Sequence, residues 1–80
     1  MLGNLFRKKR EKTFEVILKS AGMQKVFVVD VIQKITGMDI NEATSFVATV
    51  PNVVKSGVSQ ESAEQIKSQL EAVGAKVIIK

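Results

Sequence analysis

The spacing of apolar and polar positions divides the chain into six segments behind a basic N-terminal stretch. Residues 13–19, TFEVILK, alternate. Phe14, Val16 and Leu18 face one way, and Thr13, Glu15, Ile17 and Lys19 the other, as in a strand with one buried face. Gly22 ends that run. The next stretch, KVFVVDVIQKIT at residues 25–36, is rich in β-branched residues and by propensity suits a strand. Its spacing says otherwise. Val28, Val31, Ile32 and Ile35 fall at i, i+3, i+4 and i+7, with Asp30, Gln33 and Lys34 opposite, and strict alternation fails. The pattern predicts a helix with those four residues as its core stripe, stopped by Gly37. Val26 and Phe27 then sit on the polar face, where apolar side chains need a reason to be.

DINEATSFVATV is a cleaner helix. Asp39 and Glu42 have capping-box spacing, and Ala43, Phe46, Val47 and Val50 form its core stripe. Pro51 cannot continue it. NVVKSGV reads as a strand ending near Gly57. Ser59 caps a third helix with Glu61 in its first turn, Ala63, Ile66, Leu70 and Val73 inside, and Gly74 as its stop. AKVIIK closes as a strand with Val77 and Ile79 on one face. The order is β-α-α-β-α-β. The predicted fold is α+β, a two-layer sandwich of a small three-stranded, mostly antiparallel sheet with three helices on one face. Residues 1–12 read as a basic tail and residues 13–80 as one domain.

Eighty residues make one small domain. The chain has neither Cys nor His, which removes disulfides, thiolate nucleophiles, Ser-His pairs and the usual zinc ligands, and fits a reducing intracellular setting. The net charge is +4, but the excess resides in Arg7, Lys8, Lys9 and Arg10. From residue 11 onward lysines and acids cancel, so no nucleic-acid surface is expected on the domain. No apolar run approaches the length of a membrane span. Glu61 and Glu64 share a helix face at i, i+3, which the helix dipole explains better than acid–base chemistry. The five glycines are scattered at element ends and form no phosphate-cradling loop. No catalytic, cofactor or metal residues are expected.

The segments EVILKSAG and VVKSGVSQESAEQIKSQLEAVGAKVIIK, with the order of elements, resemble the C-terminal domain of the bacterial large-subunit ribosomal stalk protein, the seven/twelve family. The resemblance runs from about residue 12 to residue 80. The adaptor of the Clp protease shares this compact fold, but its motifs are not found in this sequence. The resemblance implies a non-catalytic docking module that recruits translational GTPases to the ribosome through its first two helices. An exposed apolar pair at the start of the first helix, ringed by basic side chains, makes the contact. Matching positions are Lys25 and the apolar Val26 and Phe27. The ring departs from the family pattern. Asp30 and Thr44 replace family lysines, Gln33 replaces an arginine and Asn41 a further frequent lysine, while Lys34 compensates nearby. A charge reversal slows encounter with an acidic partner. The family also has an N-terminal dimerisation half and a hinge, so the expectation is a stand-alone or divergent member that touches the ribosome only indirectly, or one with a changed partner. The location implied is the cytoplasm.

Two other surfaces carry candidate contacts. Leu2, Leu5 and Phe6 have i, i+3, i+4 spacing ahead of the block at residues 7–10. Three readings stay open for this tail: a solvated segment, weak contact with the anionic inner face of the membrane, or contact with RNA phosphates. Ile17 and Ile78 point away from the expected core. If the first and last strands are neighbours, they and Val53 or Val54 form an apolar patch suited to a homodimer. The alternative is a modest patch shielded by the stems of Lys19, Lys55 and Lys76.

Overall fold

The alternating run forms β1 (Phe14–Ser20), which buries Val16 and Leu18 completely. It is the centre of the sheet, flanked by β2 (Asn52–Val58) and β3 (Lys76–Ile79), and both pairings are antiparallel. Strand propensity fails for the second segment, which is α1 (Lys25–Thr36). β-branched residues cost a helix a few tenths of a kcal/mol each, whereas full burial of one Val or Ile contributes about 1.5–3 kcal/mol. Packing therefore decides the conformation.

The buried residues of α1 are Val28, Val29 and Ile32, while Val31 and Ile35 are only partly buried against the core. This corrects the predicted stripe by one position. The helix turns Val29 towards α2 (Ile40–Ala48), so its inner face serves both the sheet and the neighbouring helix. In α2, Ala43 and Val47 are buried with Phe46 half-buried beside them; the helix ends at Ala48 with Thr49 as its cap, so Val50, predicted in its stripe, lies beyond the helix and packs half-buried against the core. α3 (Gln60–Glu71) buries Ala63 and Leu70. Its regular part ends at Glu71, and Gly74 at φ 91° stops it as the sequence predicts: Gly74 N–H donates to Glu71 O at 3.0 Å and Ala75 N–H to Leu70 O at 3.1 Å, the paired bonds of a left-handed glycine cap. All three helices cover one face of the sheet. The core joins Leu18, Ile32, Leu70, Val16 and Val28, none of which is exposed, and no polar or charged side chain is buried among the described residues.

The structure, a computed structural model, describes residues 12–80. The tail residues Leu2, Leu5, Phe6, Arg7, Lys8, Lys9 and Arg10 lie outside the described residues. No helix of the described part is long and apolar enough to cross a membrane.

Two junctions hold the layers in place. Gly22 sits between β1 and α1 at φ +75°, and a Cβ there would overlap the carbonyl oxygen of Gly74 in the α3–β3 turn. Gly37 ends α1 in the left-handed region at φ 81° and donates its N–H to Gln33 O at 2.8 Å. An L-residue with a side chain rarely adopts that conformation, so the sharp turn into α2 depends on it.

Candidate functional site

The geometry of the α1–α2 corner follows from a short chain of hydrogen bonds. Thr36 Oγ1 donates to Ile32 O at 2.6 Å and accepts from the Met38 N–H at 3.2 Å. The Gln33 amide donates to Met38 O at 3.5 Å. One residue on, the capping box closes: Glu42 N–H donates to Asp39 Oδ1 at 2.8 Å and Asp39 N–H to Glu42 Oε1 at 3.2 Å. The linker between the helices is thus held at both ends, and the helices stand at a fixed separation.

Between them lies an open cleft of about 500 Å³. Val29 lies deep in it, and Val26, Phe27 and Ile40 form its apolar walls. Lys25, Asp30, Gln33 and Thr44 lie around its rim. Val26 is 79% exposed, Phe27 57% and Ile40 57%, and Met23 in the preceding turn is 98% exposed. Met23 shares a shallower neighbouring cleft with Val26 and Phe27, so the apolar surface is continuous across the start of α1.

The rim polar groups are engaged within the chain. Asp30 Oδ2 pairs with Lys34 Nζ at 3.1 Å, one helical turn apart. Gln33 is held by Met38 O, and Thr44 Oγ1 donates to Ile40 O at 2.7 Å. Lys25 meets no carboxylate within ion-pair distance among the described residues, where the two ion pairs are Lys34 with Asp30 and Lys67 with Glu71. Among the described residues the cleft therefore offers apolar contact and one ammonium without a carboxylate partner.

Of the residues singled out from sequence, Lys25, Val26, Phe27, Asp30, Gln33 and Thr44 meet at this cleft. Lys34 reaches it only through Asp30. Asn41 lines a different depression, with Met38 and Phe46, on the other side of α2. Ile40 and Met23 escaped the sequence reading. A large apolar residue directly after the Asp39 cap, and another inside a turn beside Gly22, are the features that mark them. Among the described residues no group of three or more His, Cys, Asp or Glu side chains is placed to hold a metal ion.

Fold and cleft together define a class: a two-layer α+β domain with an apolar cleft between its first two helices. Residues 14–80 match the family model described as the ribosomal protein L7/L12 C-terminal domain, and the chain belongs to that family. Large ribosomal subunit protein bL12 of Neisseria gonorrhoeae (strain NCCP11945) is 54% identical over 71 residues, 88% of this chain and 58% of that protein. The bL12 of Geobacillus kaustophilus (strain HTA426) is 49% identical over 71 residues, with the same 88% and 58% coverage. That of Dictyoglomus thermophilum (strain ATCC 35947 / DSM 3960 / H-6-12) is 50% identical over 68 residues, 85% of this chain and 54% of that protein. The chain thus spans 54–58% of the length of these curated relatives.

Proposed function

We propose that the chain is a non-catalytic docking module of the ribosomal-stalk type, working in the cytoplasm, whose α1–α2 cleft receives apolar side chains of a translational GTPase. One observation carries this reading: Met23, Val26, Phe27 and Ile40, four of the six large hydrophobics exposed among the described residues, gather at one helix pair. Family membership supports it. Full burial of Val26 and Phe27 by a partner contributes about 1.5–3 kcal/mol each, while an exposed rim ion pair contributes about 0–1 kcal/mol. The apolar walls therefore dominate affinity, and Lys25 orients the partner.

The test is equilibrium binding of dye-labelled chain to purified elongation, initiation and release factors. Val26→Asp is expected to weaken binding at least about tenfold, because it places a charge against a desolvating surface, while the unfolding midpoint stays unchanged. Equal affinity of wild type and variant for these factors would sink the proposal.

A second reading keeps the same cleft but changes the partner. The ion pair between Asp30 and Lys34 and the neutral Gln33 and Thr44 leave Lys25 as the one rim cation without a carboxylate partner among the described residues, which suits a less acidic surface. Its mark is a wild-type chain that ignores the factors while Asp30→Lys with Gln33→Arg binds them.

A further inference from the structure

The two remaining exposed hydrophobics, Val53 and Ile78, belong to a different surface. Ile17 pairs with Val53 on one side and with Ile78 on the other, so the three residues form one row across β2, β1 and β3. Val54, the other candidate for this row, is buried. The row crosses the face of the sheet that no helix covers. Lys19 and Lys76 share this face by alternation with buried Leu18 and Val77, and Lys80 follows Ile79, which packs against the core. Lys55 lies exposed at the bulge of the edge strand, where it stands opposite Val16. None of the four meets a carboxylate within ion-pair distance among the described residues, where both ion pairs lie on helices.

Charge is therefore segregated. On the sheet the four lysines stand against one carboxylate, Glu15, whereas on the helices and their caps Lys25, Lys34 and Lys67 stand against six carboxylates. A balanced count conceals two faces of opposite sign.

We propose that the open sheet face seats the domain on an anionic lipid bilayer surface. The chemistry matches in both parts. The Val53, Ile17, Ile78 row enters the boundary between headgroups and acyl chains, and the lysine stems lie along it with their ammonium groups reaching anionic headgroups. Other occupants match only one part. A sheet-to-sheet dimer brings the lysines of both copies together. A polynucleotide suits the lysines but leaves the apolar row against phosphate, and the row has no aromatic ring on which bases stack. The three clefts described lie away from this face, so none of them seats a peptide on it. The block at residues 7–10, a short way before β1 in sequence, has the same sign. This proposal does not rest on the cleft reading, because the α1–α2 cleft lies in the opposite layer.

The chain has no Trp or Tyr, so Ile78→Trp is a probe without background. Full-length chain carrying it is mixed with phosphatidylcholine vesicles, with and without phosphatidylglycerol. Tryptophan emission is expected to shift to the blue only with phosphatidylglycerol present, and to keep that shift when residues 7–10 are all replaced by Gln. In the otherwise wild-type chain, Lys19→Glu with Lys76→Glu is expected to cut co-sedimentation with those vesicles about tenfold or more, with the unfolding midpoint unchanged. The proposal is overturned if emission does not move, or if the double variant pellets like wild type. It also fails if an RNA duplex produces the same shift, or if the shift appears without vesicles and follows dimer formation.

Discussion

Asp30 and Lys34 are both largely exposed, and their 3.1 Å contact contributes little to stability. Its importance is electrostatic, because it withdraws a cation from the rim of the cleft. Asp30→Asn leaves Lys34 unpaired. The expected outcome is a severalfold faster association with a translational GTPase at low salt, read by stopped flow, and no change in dissociation. The gain is expected to vanish as the Debye length shrinks to about 3 Å near 1 M salt. An acceleration that survives that salt would mean that Asp30 acts by shape. At this scale Val26 and Phe27 were legible in the sequence, because they break the polar face of a helix that the spacing defines. Ile40 and Met23 were not, since exposure after a cap or in a turn depends on how α2 meets α1. Val29 was missed for the related reason that the helix has two neighbours, and a single stripe describes only one.

The elements owe their limits to local chemistry that a sequence displays well. Asp39 and Glu42 form the capping box their spacing promises, and Ser59 accepts from the Ser62 N–H at 3.1 Å. The helical conformation of α1 was legible by period and against propensity, since the period reports burial and burial carries more energy. What the sequence hid was contact between turns. Gly22→Ala combines a positive φ with overlap against Gly74 O, so it is expected to destabilise the fold by about 1–3 kcal/mol. Asp39→Ala removes one cap and is expected to cost about 1 kcal/mol. Chemical denaturation compares the two. A Gly22→Ala loss no larger than that of Asp39→Ala would show that the two turns are not in tight contact.

At the scale of the whole molecule, the order β-α-α-β-α-β and the one-sided helical layer were readable, because each amphipathic segment has a single face to bury. Strand order was not. That β1 is central, and so sets Ile17 between Val53 and Ile78, follows from pairing between residues distant in sequence. The charge segregation was hidden for the same reason, since equal numbers of lysines and acids say nothing of which layer carries them. The fold thus presents a nearly neutral apolar cleft on one side and a lysine-ringed sheet on the other. Docking at the cleft is read out residue by residue when isotopically labelled chain is titrated with a translational GTPase and the backbone amide shifts are followed. The expected perturbations cluster at Met23, Val26, Phe27, Asp30, Ile40 and Thr44 and leave Ile17, Val53 and Ile78 unmoved. Perturbations confined to the sheet face, or none at saturating factor, would contradict it.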